Sequence, residues 1–249
     1  MTTPKYQDLT AILVHAAWAD ASSWNKVTAH LQKLGIRVRS AQIPLTSLSD
    51  DVAALKRLLR QVEGPVLLAA HSYAGAVITA AGANNPEVKG LVYIAAIVPD
   101  EGETVGALFQ RAEPQPNTRS HLVPDAEGFL WLPPDAFANA VAPDASEEET
   151  ALMEINQHPI ALKCLGEPMT VPAWKQKPSW FLVAEKDRMI APATQRFMAE
   201  RIGARVHSRD TDHSPLASSP ESVVRVIVEA ADAVLTGAEI EVDAAIGQI

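Results

Sequence analysis

The chain has 249 residues, 47% hydrophobic and 20% charged, with 30 acidic against 21 basic side chains and a net charge of −9. That length suits one α/β domain with a sizeable core, and an acidic surplus without a basic cluster excludes nucleic acid and anionic membrane as expected partners. A lone cysteine, Cys164, excludes an intrachain disulfide and reads as a small buried residue.

In chain order, Met1 to Asp8 lacks the charged and apolar regions of a secretory leader, so the cytoplasm is the expected location. Apolar runs predict strands near 9–14, 36–40, 65–70, 90–95, 179–184 and 204–208. Between them, helices are predicted near 21–34, 50–62, 73–84, 191–202 and 219–235. Asp50 and Asp51 suit a helix start, where negative charge meets the positive end of the dipole. Pro192 suits a first helical turn. The nearly uncharged stretch Pro65 to Asn84 has the length of a membrane span, but strand, turn and helix describe it better, because His71 and Ser72 would be costly in lipid. The alternation implies an α/β fold: a mostly parallel sheet of about six strands with helices on both faces.

Residues 99–178 break the rhythm and hold many of the prolines. Ser146 with Glu147, Glu148 and Glu149 predicts a helix running to about Gln157. A stretch this long is read as an inserted helical cap over the sheet edge, dividing a core of 1–98 and 179–249 within a single domain. Phe129, Leu130, Trp131, Leu132 and Phe137 are its apolar candidates for a substrate pocket, although Trp131 and Phe137 equally suit a small core of the cap itself. His158 is a candidate polar contact or a helix-end histidine. The tail 237–249 alternates acidic and apolar residues, which leaves open an added strand, a homodimer contact or an unstructured end.

The most informative segment is Ala70-His71-Ser72-Tyr73-Ala74-Gly75, at the corner between the third strand and the following helix. A serine there, with small residues two positions on either side, has the form of a nucleophile elbow. A serine hydroxyl is a weak nucleophile and needs a base, and the base needs an orienting acid. Both follow in chain order: Asp187 in the loop after the strand at 179–184, and His213 in the loop after the strand at 204–208. Each loop leaves the carboxyl edge of the sheet, where open α/β sheets place their ligands. Asp210 and Asp212 compete for the acid role but lie too close in sequence to His213 to orient its ring easily. Oxyanion donors are expected from the amide after the serine, Tyr73, and from Ala17 in the loop after the first strand, with Trp18 and Tyr73 near the nucleophile. His15 reads as a hydrogen-bonded structural histidine.

The stretch His15-Ala16-Ala17-Trp18-Ala19-Asp20-Ala21-Ser22-Ser23-Trp24, the elbow, the Asp187 loop and Asp212-His213-Ser214-Pro215 together resemble the small α/β-hydrolases that include plant methyl-ester esterases, hydroxynitrile lyases and bacterial carboxylesterases. The resemblance spans about residues 9–235 and implies a serine hydrolase that cleaves small, mostly apolar carboxylic esters through an acyl-enzyme. Alanine replaces glycine at 16, 70 and 74, and Ser214 stands where the lyases carry a lysine, which argues against cyanohydrin cleavage. Another carbon–carbon lyase reaction on the same triad, or a receptor that binds a small molecule without turnover, are the alternatives. His121, His158 and His207 show no ligand spacing and no glycine-rich phosphate loop follows a strand, so neither metal nor other cofactor is expected.

Overall fold

The strands at 10–14, 66–71 and 179–184 are buried along their whole length, as strands covered on both faces of a sheet must be. In the computed structural model, which describes residues 5–111 and 122–236, they lie at the centre of a six-stranded parallel sheet. The strands are β1 (Thr10–Val14), β2 (Arg37–Ala41), β3 (Val66–His71), β4 (Val88–Ile94), β7 (Ser179–Ala184) and β8 (Arg205–Arg209), in the order β2-β1-β3-β4-β7-β8. β1, β3 and β7 are buried throughout, whereas the edge strands β2 and β8 are largely open and carry Arg37, Arg39, Arg205 and Arg209. Charged edges discourage pairing with a further strand.

Alternate side chains divide the core between two faces. One face packs Ile12, Val14, Leu68, Tyr93, Phe181 and Val183 against α2 (Leu48–Leu59), α3 (Ala74–Ala81) and α8 (Pro192–Arg201). The other packs Leu13, Leu67, Val92, Trp180 and Leu182 against α1 (Asn25–Lys33) and α10 (Pro220–Thr236). All six strands and five main helices fall where the sequence puts them, with two local differences. The first helix is a 3-10 turn, Ala21–Trp24, followed by α1. α2 begins at Leu48, capped by the Ser47 hydroxyl, which accepts from the Asp50 amide.

That shift turns Asp51 inward. It is fully buried, accepts from the Leu45 amide (2.7 Å) and the Tyr73 hydroxyl (2.6 Å), and lies 3.8 Å from the Cys164 sulfur. One carboxylate thus ties α2, the loop before it and the turn after Ser72. Burial pushes its pKa up to about 6, opposed by the hydrogen bonds from Tyr73 and Leu45.

Between β4 and β7 the described residues form short elements: α4 (Val105–Phe109), an antiparallel pair of β5 (Phe129–Leu130) and β6 (Ile160–Ala161), with α5 (Pro134–Ala136) and α6 (Glu147–Ile155) in the connection between these two strands, and then α7 (Lys163–Gly166). The predicted acidic helix is α6, which starts with a capping box between Ser146 and Glu149. A last short helix, α9 (Pro215–Ser218), precedes α10. The tail 237–249, His121 and Pro114 and Pro116 lie outside the described residues. Among the described residues no helix is long and apolar enough to cross a membrane.

Two outcomes follow from this packing. At Gly75 an added Cβ would fall inside contact distance of the Ile97 carbonyl oxygen and 2.9 Å from the Ala96 Cβ. Overpacking against backbone costs about 1–3 kcal/mol, so Gly75→Ala is expected to lower the unfolding free energy in urea by that order. Asp51 ordinarily titrates at 3.8 and here near 6, so the folded chain holds the proton longer than the unfolded one. Its contribution is therefore present below the ordinary value and is lost as pH rises through about 6, a loss on the order of 3 kcal/mol. Urea unfolding at about pH 4 and about pH 8 is expected to show Asp51→Asn gaining on wild type at the higher pH by roughly 1–3 kcal/mol.

Candidate active site

Ser72 is the first residue beyond β3 and has φ 55°. This left-handed backbone is uncommon for a side-chain-bearing residue and costs energy that its surroundings must supply. They do so through the main chain. The Ser72 amide donates to the Ile94 carbonyl (3.1 Å), and the Ser72 carbonyl accepts from Gly75 (3.1 Å) and Ile97 (3.0 Å). Ala70, Ala74 and Gly75 around it are buried, so the turn forms with alanines at 70 and 74.

The turn aims the Ser72 Oγ at His213 Nε2, 2.9 Å away, and His213 Nδ1 lies 2.7 Å from Asp187 Oδ2. A carboxylate oxygen can only accept, so Nδ1 carries the proton and Nε2 presents its lone pair to the serine hydroxyl. Asp187 is itself fixed. Oδ1 accepts from the amides of Met189 (2.7 Å) and Ile190 (2.8 Å), and Oδ2 also accepts from Gln195 Nε2 (2.7 Å). Fully buried Gln195, on α8, was not singled out from the sequence. It also accepts from the Ala184 amide (3.0 Å), so it clamps the strand end to the acid loop. A glutamine on the inner face of the helix after the acid loop is its only sequence signal. The two competing acids are occupied elsewhere. Asp212 accepts from the amides of Asp144 and Ser214 and from the Ser218 hydroxyl, and Asp210 pairs with Lys186 at the surface.

Two further histidines frame the site without bearing charge. Burial pushes His71 down to about 3, and its Nε2–H donates to the His213 carbonyl at 2.7 Å. The residue before Ser72 therefore holds the backbone of its base. Burial likewise pushes His15 down to about 4; its Nδ1–H donates to the Ala16 carbonyl and its Nε2 accepts from the Ile43 amide, as a structural histidine should. Among the described residues neither the Ala17 nor the Tyr73 amide has a protein acceptor. The Tyr73 hydroxyl is drawn away to Asp51.

Two cavities, of about 330 and 510 Å³, adjoin Ser72 and His213. Trp18 lines both, its φ of 57° and the hydrogen bond from its indole N–H to the Leu130 carbonyl (2.9 Å) fixing the ring. Phe137 lines the smaller one and also packs with Leu132, Ala140 and Met189. Two expectations need correction. Trp131 is 49% exposed and donates to Asp125 Oδ2, because alternation along β5 turns Leu130 inward and the next side chain out. His158 lines neither cavity; β6 holds that stretch beside loop 43–45, where the His158 ring stands 6.3 Å from that of His15. Among the described residues no group of three or more histidine, cysteine, aspartate or glutamate side chains is placed to hold a metal.

Comparison with known proteins identifies the family and the fold. A family model described as the alpha/beta hydrolase family matches residues 11–226. The chain is 26% identical to a probable hydrolase of Phoma sp. across 88% of this chain and 97% of the other. A stretch of 116 residues is 34% identical to a carbendazim hydrolyzing esterase of Nocardioides sp., covering 41% of this chain and 48% of that one. Among solved structures, a pyrethroid hydrolase from Sphingobium faniae JZ-2 superposes with a TM-score of 0.79 at 22% identity, covering 90% of this chain and 98% of the other. A methylesterase from Arabidopsis gives 0.74 at 19%, covering 90% and 99%. Both of these are likenesses of fold. With the family model spanning nearly the whole described sheet, the chain belongs to the alpha/beta hydrolase family.

Proposed function

We propose that this protein is a cofactor-independent serine esterase acting on small, mostly apolar carboxylic esters. The observation that carries the reading is the unbroken hydrogen-bonded path from Ser72 Oγ through His213 to Asp187, at the border of two largely apolar cavities. In this reading Ser72 Oγ bonds to the acyl carbon as His213 Nε2 takes the hydroxyl proton. The carbonyl oxygen becomes negative and is received by the Ala17 and Tyr73 amides. The acyl–oxygen bond then breaks, and His213 returns the proton to the departing alkoxide. Water, deprotonated by the same nitrogen, attacks the acyl-enzyme and releases the acid. Asp187 holds the imidazole in the tautomer that makes both transfers possible, and the elements between β4 and β7 act as the cap that keeps water from the acyl-enzyme.

The family membership and the hydrolases and esterases among the relatives support this choice of chemistry. The absence of a lysine after His213, where Ser214 stands, weighs against the lyase alternative.

Release of p-nitrophenol from p-nitrophenyl acetate and butyrate, with fluorophosphonate labelling alongside, tests the proposal. Ser72→Ala is expected to abolish labelling and to lower kcat by on the order of 10⁴- to 10⁶-fold. Wild-type protein that neither turns over nor labels would overturn the reading. Asp187→Asn is expected to keep the fold and lower kcat by about 10⁴-fold, because an amide at this position disfavours the Nδ1–H tautomer. A loss of less than tenfold would show that Asp187 does not orient the base.

A further inference from the structure

The two cavities are not equivalent in what they touch. Ser72 and Tyr73 border only the larger, of about 510 Å³, and His213 borders only the smaller, of about 330 Å³. Ala17, Trp18, Leu132 and Met189 form the wall common to both. The reaction distinguishes them. The proton that Ser72 gives to His213 Nε2 must return to the leaving oxygen, so that oxygen has to sit on the imidazole side. The acyl substituent must then point the other way, past Ser72. With the oxyanion at the Ala17 amide on the common wall, an ester can satisfy all three requirements in one orientation only.

The linings differ in character as well. Among the described residues, the polar side chains of the larger cavity besides Ser72 are Tyr73, whose hydroxyl is engaged by Asp51, Trp18, whose indole is engaged by Leu130, and Gln110 at the edge. In the smaller cavity Phe137, Met189 and Leu216 form an apolar body, while Lys26, Glu149 and Asn156 stand at a partly exposed rim. Lys26 pairs with Glu149 and donates to the Ala217 carbonyl (3.0 Å), which leaves hydrogen-bonding capacity on all three rim side chains. Each cavity falls in the size range of a small-molecule site.

We propose that the natural substrates are two-sided esters: a bulky, wholly apolar acyl group in the larger cavity, joined to a sizeable alcohol with an apolar body and a hydrogen-bonding far end in the smaller. This rests on the esterase reading and narrows it, because a methyl ester would leave the smaller cavity unfilled. The segment that forms α5 and the turn Phe137–Val141 runs over both cavities, with Ala136 lining only the larger and Val141 only the smaller.

The test uses two matched series of substrates. One fixes an acetyl group and varies the alcohol from methanol to 2-phenylethanol to 2-(4-hydroxyphenyl)ethanol. The other fixes methanol and varies the acyl group from acetyl to hexanoyl to 4-phenylbutanoyl. For wild type, kcat/KM is expected to rise at least tenfold along each series. Val141→Trp is expected to remove the gain along the alcohol series and leave the acyl series within about twofold of wild type, and Ala136→Trp to do the reverse. Thermal melting and turnover of methyl acetate, the first member of both series, verify that each variant is folded and competent. A wild type that prefers methyl esters, or a Val141→Trp variant that loses the acyl preference instead, overturns this assignment while leaving the esterase reading intact. Turnover of neither series, with no labelling of Ser72, overturns both.

Discussion

A left-handed backbone at a residue with a side chain costs on the order of 1–3 kcal/mol, and Ser72 is held in one. The conformation lifts the hydroxyl off the end of β3 and out of the core. It survives because the turn is bonded on both sides: its amide to β4 through Ile94, its carbonyl to Ile97 and to the first turn of α3. Those bonds require the turn to lie close against the segment after β4, and Gly75 sits where a Cβ could not fit beside Ile97. Ala95 (φ 44°) and Trp18 (φ 57°), just beyond β4 and β1, are strained in the same sense. With Leu45 (φ 56°), which follows β2, four of the five non-glycine residues of positive φ among the described residues lie beyond the carboxyl ends of strands; Asn84, before β4, is the exception.

Charge in the site follows from the same burial. Of the groups around Ser72, Asp187 receives four hydrogen bonds, from two amides, Gln195 and His213, a donor set suited to a carboxylate in the interior. His15 and His71 have backbone partners only, and burial keeps them neutral. They work as fixed donors and acceptors that brace the loops carrying Ala17 and His213. Asp51 does similar work on the far side of the elbow, anchoring the Tyr73 side chain through its hydroxyl.

The stretch between β4 and β7 builds little core of its own. Its two paired strands and short helices take partners from the rest of the fold: Ala161 donates to Leu45, Leu130 accepts from the Trp18 indole, and Phe137 packs on Met189 beside Asp187. Its inner surface is therefore shaped by the loops that carry the reactive groups, which is how one segment comes to border two cavities that touch different members of the Ser72–His213 pair.

Much of this was legible in order along the chain. Apolar runs of strand length, an alternating helix pattern and a serine between small residues are local properties, set by what a buried strand or a tight turn tolerates; they located six strands, the elbow and the order Ser72, Asp187, His213. Other features depend on which surfaces meet. Trp131 and Leu130 are both apolar, and only strand pairing with β6 decides which faces inward. His158 reads as a helix-end histidine or a pocket contact, and only the placement of β6 sets it beside His15 and away from both cavities. Asp51 looks like any acid in a first helical turn until Ser47 takes the cap and rotates it into the core, and Gln195 gains meaning only when α8 lies against the Asp187 loop. Local sequence determined the elements and the kind of chemistry. Packing between distant segments decided which side chains share a cavity, because side-chain direction and burial are settled by neighbours far away in the sequence.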